Sequence, residues 1–297
     1  MTDGIAAVVA KLAKVPDRVR TFGIDEAAAR TDYQIAPDLL DRLRGAGLPY
    51  RTAAGSPTFD GNDLINVALH LDFGSRPRKV LGWWARELER SYGDVHTYEV
   101  EYFAGCPDPR RCRGCRFSLL RPDQPRLQVD LAPAGPAVLY RHRFPLARSW
   151  PDLPDTLVEL IDDFSGIEYL QLPDPLCWDT EFVRRYGIGD CAAYGKILVS
   201  EGRARGLTTR FCFGRSLTPP FSAAHYWPEF LISGVWVPLD SLLVGALTDW
   251  GVLSPERWGR TSSLGAIMAR LANRPRPLAM HNGSLLPVQV RVHHGAS

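Results

Sequence analysis

The chain has 297 residues, 45% of them hydrophobic, which is material for one large core or two smaller ones. Its formal net charge of +2 gives no reason to expect nucleic-acid or strongly acidic partners. Met1-Thr2-Asp3-Gly4 does not open a basic segment with a long apolar run behind it, and no stretch reaches the roughly 18 apolar residues of a membrane span, so a cytoplasmic protein with no membrane partner is expected.

Residues 1–94 read as a helical N-terminal region. A first helix covers Ala6 to Leu12, and Pro37 opens a second with Leu39, Leu40 and Leu43 on one side. Asn62 is placed to cap a third helix carrying Leu64, Ile65, Ala68 and Leu69. Ser75 precedes a fourth with Val80, Leu81, Trp84 and Leu88 on one face. Arg76, Arg78, Lys79, Arg86 and Arg90 make this last helix basic and able to imitate a DNA-binding helix-turn-helix, but runs of charge are usually solvated faces.

Residues 95–150 change character. Thr97, Glu99 and Glu101 alternate with Tyr98, Val100 and Tyr102, and proline-rich turns follow, which predicts a small β-rich element. Within it Cys106, Cys112 and Cys115 form C-x5-C-x2-C beside four arginines. Zinc wants four ligands; His96 or His142 could supply the fourth, but none lies in the loop, so three thiols without a metal are expected. No Walker loop, EF-hand ladder or dinucleotide fingerprint occurs, and no cofactor is expected.

Residues 151–297 hold the chemistry. Gly187 and Gly189 mark a tight turn, Asp190 is a good N-cap, and Cys191 then opens a helix with Tyr194, Ile197 and Leu198 on one face and Gly206 past its end. A cysteine in the first turn of a helix feels the positive end of the dipole, which favours the thiolate; a buried structural cysteine is the bland alternative. Ala224 to Ile232 reads as a strand, Ser233-Gly234 as a two-residue turn, and Val235 to Asp240 as the returning strand. Counting outward from that turn sets Ile232 opposite Val235 and Trp227 opposite Asp240. His225 then shares a face with Trp227 and is a diagonal neighbour of Asp240. A thiol, an imidazole and a carboxylate are the parts of a nucleophile, its base and the group that orients the base. Pro228 offers no ladder donor and should sit at a sheet edge or a bulge. Arg215 to Phe221 is expected to form a connecting loop long enough for a lid or acceptor wall. Residues from Asn273 onward should be partly extended.

The segment from Leu153 to Leu247 resembles the catalytic core of the transglutaminase-like superfamily. The resemblance is carried by Gly189-Asp190-Cys191, by Arg203-Ala204-Arg205-Gly206-Leu207-Thr208-Thr209-Arg210, by His225-Tyr226-Trp227-Pro228-Glu229 and by Trp236-Val237-Pro238-Leu239-Asp240. It implies an α+β, papain-like cysteine-enzyme core in which an antiparallel sheet packs on the nucleophile helix. It also implies Cys191 as nucleophile, His225 as general base and Asp240 as orienter. Arg210 and Glu229 are read as a charge pair or cap bracing the sheet behind the triad. The backbone N–H of Cys191 is the natural first oxyanion donor, with Tyr169 or Trp178 as second.

The function expected is a thiol-dependent acyltransferase that forms an amide through a cysteinyl thioester. Its partners would be a small-molecule or carrier-bound acyl donor and an amine acceptor. The alternatives are a cysteine peptidase or amidase of the same superfamily, or a non-catalytic regulatory module whose N-terminal helices bind DNA or a partner.

Overall fold

A computed structural model describes residues 2–53, 55–90 and 95–295; residues 91–94, where the expected boundary between helical and β-rich regions falls, lie outside them. The fold is α+β, with helices and mostly antiparallel strands and a helical N-terminal region. The chain divides into two compact units, each built from three separated segments.

The first unit comprises residues 1–85, 158–198 and 241–262. Its N-terminal segment contributes the helices Thr2–Leu12, Glu26–Asp32, Pro37–Gly45 and Gly61–His70 and the start of Arg76–Glu89. Leu12, Leu43, Leu64 and Val67 are buried, as their helical spacing requires. Among the helices lies a three-stranded antiparallel sheet in the order Phe22–Asp25, Ser56–Asp60, Arg51–Ala53, which the sequence pattern does not announce. The third expected helix starts earlier than Asn62: its cap is Asp60, whose carboxylate accepts from the N–H groups of Asn62 and Asp63. Buried Arg20 donates to the Leu12 and Val15 carbonyls, satisfying the end of the first helix, and to Asp63 at 2.7 Å.

The second unit comprises residues 86–157, 199–240 and 263–297. Its described residues hold three antiparallel sheets. The first runs in the order Val235–Pro238, Phe221–Ile232, Thr209–Thr218, Met268–Ala272. The second runs Ser284–Leu286, Ala279–His281, Cys115–Arg121, Gln124–Leu131, and the third Gln289–His294, Val95–Ala104, Ala137–Ala147. The alternation read over Thr97–Tyr102 is real: Tyr98, Val100 and Tyr102 enter one core with Leu217, Leu271 and Val292. The stretch after Asn273 is partly extended, as expected, and its strands complete the second and third sheets.

Arg215 to Phe221 is not a loop. The strand Thr209–Thr218 pairs through Thr218 with Phe221 of the next strand, so only Pro219-Pro220 connect them. Polar and proline residues that read as irregular are held in a long ladder by Ser216, whose hydroxyl accepts from the Ala223 N–H, and by Arg215, whose guanidinium donates to Ser222. Among the described residues no helix is long and apolar enough to cross a membrane.

Candidate active site

Gly187 is forced by geometry. Asp179 caps the helix Thr180–Tyr186, and Gly187 ends it with φ 64°, a left-handed conformation that favours glycine. The chain then runs parallel to Glu168-Tyr169 over Ile188-Gly189. A Cβ on Gly189 would lie 2.9 Å from the Val183 side chain, so glycine lets the strand and the preceding helix close up. Asp190 follows as expected: its carboxylate accepts from the N–H groups of Ala192 and Ala193, and Cys191 opens the helix Cys191–Ala204. Asp190 is buried and Cys191 half-buried, so the sulfur stands at the positive end of a helix dipole without being sealed in the core.

The N-terminal region supports this loop. Asn66, on the helix Gly61–His70, exchanges two hydrogen bonds with the backbone of Gln171, each 2.8 Å. His70 Nε2 lies 3.0 Å from the Tyr169 carbonyl, which can only accept, so the nitrogen donates. Tyr169 in turn pairs with Gly189, two residues before Cys191. On the Cys191 helix the Tyr194 hydroxyl meets Ser241 at 2.7 Å, at the start of the buried helix Ser241–Asp249.

The hairpin has the expected register. Ser233 and Gly234 have φ of 49° and 82°, the signs of a type I′ turn, and Ile232 pairs with Val235 outward to Glu229 with Pro238. Continuing that count places Trp227 across from Asp240. His225 Nε2 lies 2.8 Å from Asp240 Oδ2, with the residues only 5% and 2% exposed. A carboxylate accepts, so Nε2 carries the hydrogen and Nδ1 is the nitrogen that can take a proton. The ring of Trp227 stacks on that of His225 with centroids 6.1 Å apart.

Behind this pair is a brace. Trp227 Nε1 donates to Glu229 at 2.9 Å, Arg210 Nε donates to the other Glu229 oxygen at 2.6 Å, and the Arg210 guanidinium lies 4.1 Å over the Trp236 ring. Arg210 and Glu229 thus form the structural pair the sequence suggested. Gly214 pairs directly with His225, and a Cβ there would come within 2.1 Å of the Ala269 carbonyl oxygen and 2.5 Å of the Trp227 ring. Pro228 departs from expectation: it lies in a central strand, neither at an edge nor in a bulge. Leu231 N–H bonds Thr208, so alternation turns the Pro228 nitrogen away from that neighbour and toward the returning strand, just where it ends at Pro238. Its carbonyl accepts from Leu239, and only the reciprocal bond is forgone.

Of the two expected oxyanion donors, Tyr169 lies beside Gly189, with its ring edge-on to Trp250. Trp178 carries Lys196, from the Cys191 helix, over its ring at 4.6 Å.

A second cluster lies elsewhere. Cys106, Cys112, Cys115 and His281 each offer a donor atom, all within 4.8 Å of one another. The expectation that the three cysteines lack a fourth partner therefore fails, and neither proposed histidine is the one that joins them. His96 meets His294 at 2.9 Å, and His142 lies against Tyr140 and Phe144. The fourth donor is His281, brought in because its strand pairs with Cys115–Arg121. Sequence spacing carried no signal for it, since the two strands are distant along the chain.

Residues 158–241 match the sequence model of the transglutaminase-like superfamily, the stretch that runs from the helix before Tyr169 through Cys191 and His225 to just past Asp240. No curated protein matches the chain. Among solved structures, a "Putative Cysteine Protease from Cytophaga hutchinsonii" aligns at 10% identity and a TM-score of 0.34, covering 70% of this chain and 92% of that one.

Proposed function

We propose, with residues 158–241 as a transglutaminase-like domain, that this protein is a cysteine acyltransferase with Cys191 as nucleophile, His225 as base and Asp240 as orienter. The observation that carries the reading is the buried hydrogen bond between His225 Nε2 and Asp240 Oδ2. It fixes the imidazole tautomer and leaves Nδ1 as the basic nitrogen, which is the task of the third member of such a triad. Cys191, at the first position of a capped helix, supplies the matching thiol.

In this reading the Cys191 sulfur attacks the carbonyl carbon of an amide or thioester, and its proton passes to His225. The oxyanion is held by the Cys191 N–H and by the Tyr169 hydroxyl or the Trp178 indole. The carbon–heteroatom bond breaks, His225 returns the proton to the leaving amine or thiol, and a cysteinyl thioester remains. An acceptor amine then attacks the thioester and gives a proton to His225, the carbon–sulfur bond breaks, and His225 passes that proton to the departing Cys191 sulfur as the amide forms.

The acceptor is proposed to be an amine rather than water, and the donor a small molecule or carrier-bound acyl group. In support, the imidazole is almost fully enclosed and stacked on Trp227, which disfavours a resident water at the base. The test supplies acyl thioesters with and without a panel of amines. Amide product that depends on Cys191 is the expected result. Free acid under every amine, with cleavage of a peptide amide, would replace the transferase by a hydrolase of the same chemistry.

A further inference from the structure

We propose that Cys106, Cys112, Cys115 and His281 form a structural zinc site, separate from the acyl-transfer residues. Zinc takes sulfur and nitrogen donors in a tetrahedron, with Zn–S near 2.3 Å, which sets neighbouring sulfurs about 3.8 Å apart. Cys112 Sγ and Cys115 Sγ are 3.7 Å apart, and all four donor atoms fall within 4.8 Å. Three sulfurs and one imidazole are a donor set zinc favours over the oxygen-seeking calcium and magnesium. Four protein donors leave no open position, which makes the site structural rather than catalytic.

The surroundings fit a metal better than three packed thiols. His281 Nε2 is shut off from solvent and has no hydrogen-bond partner. A buried nitrogen left without a partner is costly, and ligation would remove that cost. The side-chain amide of Asn282 lies 3.6 Å from Cys112 Sγ and also donates to the Gly114 carbonyl at 3.0 Å, while its oxygen accepts from the Arg116 N–H. An N–H aimed at a ligand sulfur, from a side chain itself held at both ends, is how the residues around a metal orient its ligands.

The turn also places His281. Asn282 and Gly283 adopt positive φ, 47° and 86°, so the hairpin folds tightly and holds His281 beside the C-x2-C segment. Cys106 and Cys115 are buried among Phe117, Leu119 and Leu286, an apolar shell that keeps water from competing for the metal. A zinc here would tie the loop before Cys115–Arg121 to the hairpin Ala279–Leu286 from the other end of the chain, cross-linking the sheet they share.

The test is elemental analysis of the full-length protein after gel filtration, followed by titration with a mercurial that captures thiols. About one zinc per chain is expected, released as thiols are consumed, with a melting temperature that falls by about 5 °C or more after chelation. A Cys112→Ser, Cys115→Ser variant should lose the zinc, Cys177→Ser and Cys191→Ser should keep it, and His281→Cys should retain it where His281→Ala does not. Should the serine variant fail to fold, cobalt exchange into the wild-type protein gives the same answer, through the absorption of tetrahedral cobalt bound to thiolate. Protein that holds and takes up well under one equivalent of zinc or cobalt would overturn the proposal. So would metal retained without Cys112 and Cys115, or those two found joined as a disulfide.

Discussion

At the scale of single residues, the cysteines outside the Cys106–Cys112–Cys115–His281 cluster differ in chemistry. Burial pushes the Cys177 thiol well above the ordinary cysteine range, helped by its hydrogen bond to Asp174. Burial does the same to Cys212, with the Glu229 carboxylate adding to it. Cys191 stands instead in the first turn of a capped helix and is half-buried. The thiolate is the species that alkylates, so iodoacetamide near neutral pH should modify Cys191 at least roughly tenfold faster than Cys177 or Cys212. Peptide mapping after brief labelling reads this directly. Comparable labelling of the three would remove the case for Cys191 as the nucleophile. The Cys191 position was legible in sequence because a cap, two glycines and a helical face are all local signals. Tyr169, which pairs with Gly189 just before that helix, is legible only as one of two upstream aromatic donors, and the arginine that satisfies the first helix, Arg20, gives no signal at all, since burial of a charge depends on partners that sequence does not place.

At the scale of elements, the hairpin shows what a turn can specify. Ser233-Gly234 fixes the register, and the register fixes which face His225 shares with Trp227. Where no such turn marks the chain, local pattern misleads. Pro219-Pro220 looked like the middle of a loop, yet they join two long strands with nothing to spare. The helix Gly61–His70 is capped by Asp60 rather than by Asn62, because Asp60 ends a strand that composition hides. That helix also bears on the nucleophile loop through His70. Burial, with the Lys11 charge next, lowers the His70 pKa from 6.5 to about 4. The unfolded chain therefore binds a proton between pH 6.5 and 4 that the folded chain refuses. Stability is fully present above that window and is lost as pH falls through it. Between pH 7 and 5 this amounts to about 2 kcal/mol. In His70→Gln, whose amide can still donate to the Tyr169 carbonyl, urea unfolding should lose that much of its pH dependence. An unchanged slope between the two proteins would show that His70 is not held neutral by its surroundings.

At the scale of the whole molecule, Cys191 belongs to one compact unit while His225 and Asp240 belong to the other, and both units are assembled from separated segments. Reading along the chain could divide it only into consecutive blocks. It could not show that Gln289–His294 pairs with Val95–Ala104, or that His281 joins Cys115, because strand partners are chosen by tertiary packing rather than by pattern. The proposed triad joins a hairpin pair read from turn register to a thiol read from a helix start, and its chemistry requires the thiol and the imidazole to exchange a proton. That requirement can be tested without knowing the substrate. If His225 accepts the Cys191 proton, a thiolate–imidazolium pair forms at a pH well below the ordinary cysteine value of about 8.5. Alkylation of Cys191 should then stay fast as pH is lowered to 6 in the wild-type protein, and in His225→Gln should fall at least roughly tenfold at pH 6 while recovering at alkaline pH. Asp240→Asn, which keeps the imidazole but weakens its hold on the tautomer, should give a profile between the two. The folded state of each variant is checked by its melting temperature, so that a change in profile reports the proton and not the fold. Superimposable profiles for all three proteins would mean that Cys191 titrates independently of His225, and the acyltransferase reading would then lose its base.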